Sequence, residues 1–231
     1  MGKPAISVII PVYNESANIS TFLEHLSHTK SQCEIIVVDG GSTDNTVLQI
    51  QQKGFFVVSS PKKGRANQMN YGAALAKGDI LWFLHADSIP PADALSQIRT
   101  VLAKGYDIGC FPIRFDSMNP AMFIHSFLSN NVRARLLNIA FGDQGIFIRK
   151  TLFEKLGCYA PIPLMEDYKL SLDARSAGFR IGLAKGKIIT SARRYAKQGM
   201  FETIWRMQVL QRRFRRGDNI EEIARAYDES R

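Results

Sequence analysis

Phe83-Leu84-His85-Ala86-Asp87 joins the end of an apolar run to an imidazole and a carboxylate two positions apart. The run Ile80-Leu81-Trp82-Phe83-Leu84 is short and bulky, and Pro90-Pro91 follows it closely, which reads as a buried strand rather than a helix. Ligands of open α/β sheets sit just beyond the carboxyl ends of strands. In extended chain, His85 and Asp87 point to the same side and together could hold a divalent metal. The alternative is that Asp87 caps the next segment while His85 makes an ordinary hydrogen bond.

Two further groups of acids have types and places suited to chemistry. Asp39-Gly40-Gly41-Ser42-Thr43-Asp44 follows a β-branched run; its glycines allow a tight turn, and Ser42 or Thr43 can cap a following helix. Glu166-Asp167 opens a helical pattern that closes at Gly178. Acids in a first helical turn are favoured by the dipole alone, but a carboxylate pair facing a cleft can also act as a general base. Asp44 reads as a solvated first-turn acid, and Trp205 as a core anchor rather than a sugar platform.

The elements that must position these groups alternate. Ile6 to Ile10, Glu34 to Val38, Phe55 to Val58 and Ile80 to Leu84 read as strands. Between them Ile19, Phe22, Leu23 and Leu26 recur at helical spacing, and Arg65 to Lys77 forms a second helix. Strand–helix alternation predicts an α/β fold with a doubly wound, mainly parallel sheet flanked by helices. Strands are expected over Ile108 to Phe115, Gln144 to Ile148, Ile181 to Leu183 and Ile188-Ile189, with a helical segment around Phe123 to Leu137. The tail from about Gly199 is an amphipathic basic helix. The expected division is a domain over 1–198, with halves over 1–89 and 90–198, followed by a helical C-terminal tail (199–231).

The loop after the first strand, Pro11-Val12-Tyr13-Asn14-Glu15, is bulky and acidic. It lacks the G-x-G-x-x-G of a dinucleotide fold, and no G-x-x-x-x-G-K-[ST] phosphate loop occurs, so NAD and P-loop chemistry are excluded. Polar side chains on the first two loops could instead grip a nucleoside, with phosphates running toward Asp87. A cation there would neutralise them, because hard cations bridge carboxylate and phosphate oxygens.

The chain has 231 residues, 45% hydrophobic, and a net charge of +9, which favours an anionic partner. Cys33, Cys110 and Cys158 are odd in number and form no C-x-x-C, pointing to a reducing compartment. No window is apolar and charge-free over the roughly 18–20 residues of a spanning helix, and no signal-peptide pattern opens the sequence. A cytoplasmic location is expected, peripheral to the inner face of a membrane if the arginine-rich tail binds anionic lipid.

Pro11-Val12-Tyr13-Asn14-Glu15, Val37 to Asp44, His85-Ala86-Asp87 as a variant D-x-D, and Glu166-Asp167 occur in an order that resembles family 2 glycosyltransferases of the GT-A fold. Gly64-Arg65-Ala66-Asn67-Gln68-Met69-Asn70 and Phe141-Gly142-Asp143-Gln144-Gly145 resemble, more narrowly, a little-characterised bacterial subfamily of short transferases. The resemblance runs from the first strand to about Arg193-Arg194-Tyr195. It implies inverting transfer of a sugar from a nucleotide-diphosphate donor to an acceptor hydroxyl.

Carried over, the resemblance puts Pro11, Tyr13, Glu15, Asp39, Arg65 and Asp87 on the nucleotide sugar, with Asp39 facing the base. It puts Gly142, Asp143 and Gln144 on the acceptor or sugar side. Asp167 becomes the general base with Glu166 as the fallback, and Asp87 the metal carboxylate. His85 is the departure, where Asp is commoner. An imidazole ligand favours Mn²⁺ over Mg²⁺. Relatives of the fold that use lipid-linked acceptors suggest such an acceptor here. The rival class is a non-catalytic anion-binding module that uses the arginine-rich tail on a membrane surface or nucleic acid; no RRM, KH or helix-turn-helix signature supports nucleic acid.

Overall fold

The computed structural model describes residues 5–117, 119–190 and 200–228. It opens with β1 (Ile6–Val12), α1 (Ile19–Leu26), β2 (Glu34–Asp39), α2 (Thr46–Gln52), β3 (Val57–Ser59), α3 (Arg65–Leu75) and β4 (Ile80–Phe83). β1 pairs in parallel with both β2 and β4, so that Ile9 lies between Ile36 and Phe83. β5 (Ser88–Ile89), α4 (Ala94–Ala103), β6 (Ile108–Cys110) and β7 (Ile113–Phe115) follow. Next come α5 (Pro120–Leu128), a π-helical continuation over Ser129–Leu136, β8 (Phe147–Arg149), α6 (Lys150–Lys155) and α7 (Glu166–Ser176). β9 (Ile181–Leu183), β10 (Ile188–Thr190), α8 (Met200–Arg216) and α9 (Ile220–Asp228) complete the described elements.

The main sheet has the order β3-β2-β1-β4-β8-β6-β9, and β8 runs against both of its neighbours in an otherwise parallel arrangement. Its strands are buried on both faces, which is why they read as continuous apolar runs rather than alternating ones. Successive side chains still divide between the two sides. Ile6, Val8, Ile10 and Trp82 join Phe22, Leu23, Leu95 and Ile98 in one layer. Ile9, Leu81 and Phe83 join Met69, Leu170 and Ala174 in the other.

Three local expectations are corrected. Ile108 to Phe115 is two strands, β6 in the main sheet and β7 in a small sheet ordered β5-β10-β7. Pro112 lies between them, and a residue without an N–H cannot continue a central ladder. His85 to Asp87 is a turn rather than extended chain, closed by Ser88 N–H donating to the His85 carbonyl at 3.1 Å. Trp205 is 70% exposed and so is no core anchor.

The tail helices lie against the sheet domain. Met207, Leu210 and Phe214 of α8 and Ile220, Ile223 and Tyr227 of α9 pack with Ile139, Phe141, Leu164, Met165 and Tyr168. The apolar face of the tail therefore meets protein, while Arg212, Arg215 and Arg216 are exposed. Arg193, Arg194 and Lys197 fall outside the described residues.

Phe83 ends β4 under the candidate site, 1% exposed, with ring centroids 5.0 Å from Phe153 and 4.8 Å from Tyr159. Phe83→Ala should cost about 3–5 kcal/mol in urea denaturation through lost burial and a cavity. Phe56→Ala, at a side chain 60% exposed, should stay within about 0.5 kcal/mol.

Candidate active site

A cavity of about 550 Å³ lies at the carboxyl ends of β1, β2 and β4. Pro11, Val12, Tyr13 and Glu15 line it from the first loop, Gly40 from the second, and Lys63, Gly64, Arg65 and Gln68 from around the start of α3. His85, Ala86 and Asp87 line it from the end of β4, Pro163 and Leu164 from the approach to α7, and Ala224 and Tyr227 from α9.

The first two loops are stitched together. Asn14 N–H donates to Ser42 Oγ (2.9 Å), Thr43 N–H to Asn14 Oδ1 (2.9 Å), Glu15 N–H to Thr46 Oγ1 (2.8 Å) and Ser16 N–H to Asp44 Oδ2 (3.1 Å). Hydrogen bonds to the Thr46 hydroxyl, Ser16 and the local backbone hold the Asp44 carboxyl well below its usual range, despite some opposing desolvation. Asp44 thus braces the loop, and Ser42 ties the two loops instead of capping α2. Gln68 reaches from α3 beneath them, its Nε2 donating to the carbonyls of Val12 and Val38, both at 2.8 Å. A side chain at Gly40 would collide with that amide, since a Cβ there would lie 2.9 Å from Gln68 Cδ. Asp39 is 3% exposed, and its carboxylate accepts from Gly41 N–H (2.9 Å) and Ser42 N–H (3.1 Å). It shapes the turn that presents Gly40 to the cavity.

Arg65 is the first residue of α3, where the dipole disfavours a cation. Its Nε donates to Glu166 Oε1, across 101 positions of sequence. Glu166 is 1% exposed and its Oε2 is buried with no hydrogen-bond partner. Burial pushes the Glu166 carboxyl above its usual range, the Arg65 charge opposes this, and Asp167 adds to it. Asp167 is 7% exposed; Gly142 N–H donates to its Oδ2 at 2.6 Å and Tyr168 N–H to its Oδ1 at 2.7 Å. A Cβ at Gly142 would lie 2.4 Å from His85 Cε1 and 3.3 Å from Asp167 Oδ2, so only glycine lets the three groups meet. Glu166 and Asp167 therefore stand behind Arg65 and His85 on the cavity wall.

Next to this pair, Asp143 has a buried Oδ1 without a hydrogen-bond partner, and burial raises its carboxyl against the pull of Arg133. Arg133 lies 4.2 Å from the Phe141 ring centroid and donates from Nη2 to Gln144 Oε1 at 3.2 Å. Gln144 is fully buried and also accepts from Phe141 N–H, so it braces this cluster from within. Sequence reasoning missed Arg133, Lys63, Gln68, Leu164 and Tyr227. Gln68 sat inside a motif already singled out, whereas Tyr227 carried no local signal.

His85 and Asp87 both reach the cavity wall, and Asp87 is exposed. Burial first, then the Arg65 charge, lower the His85 pKa to about 4, against pulls from Asp87 and Asp167. The ring is thus neutral at pH 7, the form that binds a cation. No group of three or more His, Cys, Asp and Glu able to hold a metal occurs among the described residues. The pair fits a cation whose remaining ligands come from an anionic substrate and water, as for metals bound through one or two side chains plus phosphates.

The family model for Glycosyl transferase family 2 matches residues 7–157. "Probable glycosyltransferase YdaM" of Bacillus subtilis is 28% identical over 202 residues, covering 77% of this chain and 48% of that protein. The undecaprenyl-phosphate 4-deoxy-4-formamido-L-arabinose transferase of Pseudomonas fluorescens is 29% identical over 160 residues, 62% of this chain and 46% of that one. The chain thus spans about half the length of these curated relatives. Among solved structures, the mannosyltransferase PcManGT from Pyrobaculum calidifontis, in complex with GDP-Man and Mn²⁺, aligns with a TM-score of 0.66 at 22% identity. That alignment covers 91% of this chain and 62% of the other, and it shows a shared fold.

Burial, and secondarily the Arg133 charge, also hold His125 at about 4. A histidine whose folded pKa lies below its unfolded value near 6.5 favours the folded state fully above pH 6.5, and that contribution is lost as pH falls toward 4. Stability measured by urea at successive pH values should therefore decline across this window. His125→Gln should flatten the decline by about 1 kcal/mol.

Proposed function

The chain belongs to glycosyl transferase family 2, and from that premise we propose that it transfers a sugar from a nucleotide-diphosphate donor to an acceptor hydroxyl with inversion. The observation that carries this reading is the cavity wall itself. One pocket gathers Glu15, Lys63, Arg65, His85 and Asp87, and the Glu166-Asp167 pair stands directly behind it. A module that merely bound anions would have no use for a carboxylate pair buried beside its cationic groups.

The nucleoside lies against Pro11, Tyr13 and Glu15, on loops that the Asn14–Ser42 and Glu15–Thr46 bonds keep rigid. The diphosphate lies toward Lys63, Arg65 and the start of α3, where free backbone N–H groups favour an anion. A divalent cation held by Asp87 and His85 would offset charge on the departing diphosphate. Imidazole ligation favours Mn²⁺ over Mg²⁺ in this role, and Mn²⁺ accompanies GDP-Man in the mannosyltransferase of similar fold. As the acceptor oxygen bonds to the anomeric carbon, its proton passes to Asp167. The bond to the diphosphate oxygen breaks on the opposite face, and that oxygen keeps the electron pair. Asp167 takes the task from its second place in the Glu166-Asp167 pair, with Glu166, whose Oε1 holds Arg65 and whose Oε2 has no partner, as the fallback.

For the acceptor, a lipid-linked molecule at the cytoplasmic face of a membrane fits an unusual surface. Phe123, Ile124, Phe127, Leu128, Val132 and Leu136 are all at least 38% exposed along α5 and its π-helical continuation. The turn is wider than in an α-helix: Leu137 N–H donates to the Val132 carbonyl, five residues back. The same segment carries Arg133 to the Gln144 cluster, so the apolar stripe borders the acceptor side. From Ser117 through Gly142 the sequence has no carboxylate, which suits an anionic lipid surface. The relative from Pseudomonas fluorescens bears a name that places a lipid phosphate in its reaction. No helix among the described residues is long and apolar enough to cross a membrane.

Asp167→Asn should reduce transfer by about 10²–10⁴-fold while leaving nucleotide affinity nearly unchanged. A near-normal Asn variant beside a dead Glu166→Gln would exchange the two roles. Asp87→Ala should abolish the Mn²⁺-dependent part of UDP or GDP binding in calorimetry; unchanged binding removes Asp87 from the metal site.

Vesicles of anionic lipid test the acceptor reading separately. The protein should co-sediment with them, and Ile124→Glu with Phe127→Glu should release it. A wild-type protein that stays in the supernatant at low salt rules out the lipid surface.

A further inference from the structure

We propose that Tyr227 on the C-terminal helix is a donor-site residue, closing the side of the cavity where the sugar and diphosphate lie. The inference rests on the nucleotide-sugar reading of that cavity. The starting observation is that α9, which lies beyond the matched family region, supplies two wall residues, Ala224 and Tyr227.

Their placement follows from the helix period. Ile220, Ile223, Ala224 and Tyr227 fall at i, i+3, i+4 and i+7, one stripe of an amphipathic helix. Ile223, with 0% exposure, is the anchor, packed in a cluster with Leu164, Met165 and Tyr168 around the start of α7. Phe214 of α8 meets the Tyr168 ring edge-on at 5.9 Å, which fixes the preceding helix on the same support. With the first turn of α9 seated in this way, the last turn carries Tyr227 into the cavity.

The neighbours of Tyr227 indicate which part of a donor it meets. Leu164 immediately precedes Met165-Glu166-Asp167 and shares the wall with Tyr227. Tyr227 also lines the cavity with Arg65, the guanidinium bound to Glu166. Both relations put the phenol on the carboxylate-pair side, where an anomeric centre and diphosphate must sit for Asp167 to act. A phenol there offers a flat apolar face to a sugar ring and a hydroxyl able to bond a sugar or phosphate oxygen. Its position also shields the reacting centre from water that would otherwise hydrolyse the donor.

Calorimetric titration of the full chain with UDP and with GDP, in MnCl₂, tests this alongside thermal melting. Tyr227→Ala should weaken whichever nucleotide the wild type binds by about tenfold, with the melting midpoint shifted by less than about 2 °C. Tyr227→Phe keeps the wall and should retain most of the affinity. Binding within twofold of wild type in a normally melting Tyr227→Ala protein overturns the inference. If Tyr227→Ala melts early, Ala224→Leu pushes bulk into the same wall without removing packing, and wild-type affinity in that variant overturns the inference instead. A wild type that binds neither nucleotide overturns the donor reading itself, and this inference with it.

Discussion

The ion pair between Arg65 and Glu166 ties the start of α3 to the start of α7 at the wall of the cavity. Each partner is in an unfavourable place by itself. Arg65 stands at a helix N-terminus, and Glu166 is almost wholly buried with one oxygen unpaired. Removing Arg65 would leave Glu166 stranded, since a buried charge without its partner costs several kcal/mol. The pair is thus weak evidence of a device for stability and good evidence of a device for position. It fixes the guanidinium at the cavity wall and sets the first turn of α7 against the start of α3. Met165, just before that turn, adopts φ 66°, a left-handed conformation that a buried methionine takes only when its surroundings impose it.

The remaining architecture can be understood as support for that junction. Parallel strands ending together bring their loops to one edge, and the hydrogen bonds among Asn14, Ser42, Asp44 and Thr46 turn two loops into a single wall. Gln68 fills the space below and donates to the carbonyls of Val12 and Val38 near the ends of β1 and β2. Little in this wall is free to move when a ligand arrives, which is what preorganised electrostatic stabilisation requires.

The region around Asp143 is built differently. Arg133, Asp143, Gln144 and the stacked rings of Phe141 and Tyr168 form a cluster in which Arg133 Nε and Asp143 Oδ1 lack hydrogen-bond partners. Orphaned buried polar atoms are uncommon in folded proteins and suit a region completed by substrate. Outside the cluster, the same helical segment exposes its apolar stripe, while inside it Asn130 is locked to both backbone groups of Ile113. One face of one element is thus rigidly seated and the other left open.

Sequence alone determined the parts governed by local physics. Continuous apolar runs alternating with helical spacing dictated a parallel sheet, because strands covered on both faces need no polar side. The placement of Pro11 to Glu15, His85, Asp87 and Glu166-Asp167 at strand and helix ends followed from the same pattern. Motif order, read as a resemblance, named the family. What the sequence did not decide was everything that depends on distance in space across distance in chain. Asp39 and Gln144 read as ligand contacts, and their side chains also brace the turns around them through backbone N–H groups. The pairing of Arg65 with Glu166, the approach of Gly142 to His85, and the entry of Tyr227 into the cavity join residues far apart in sequence. No local periodicity encodes such contacts, because each arises only once the layers have packed and close packing leaves a single arrangement that fits.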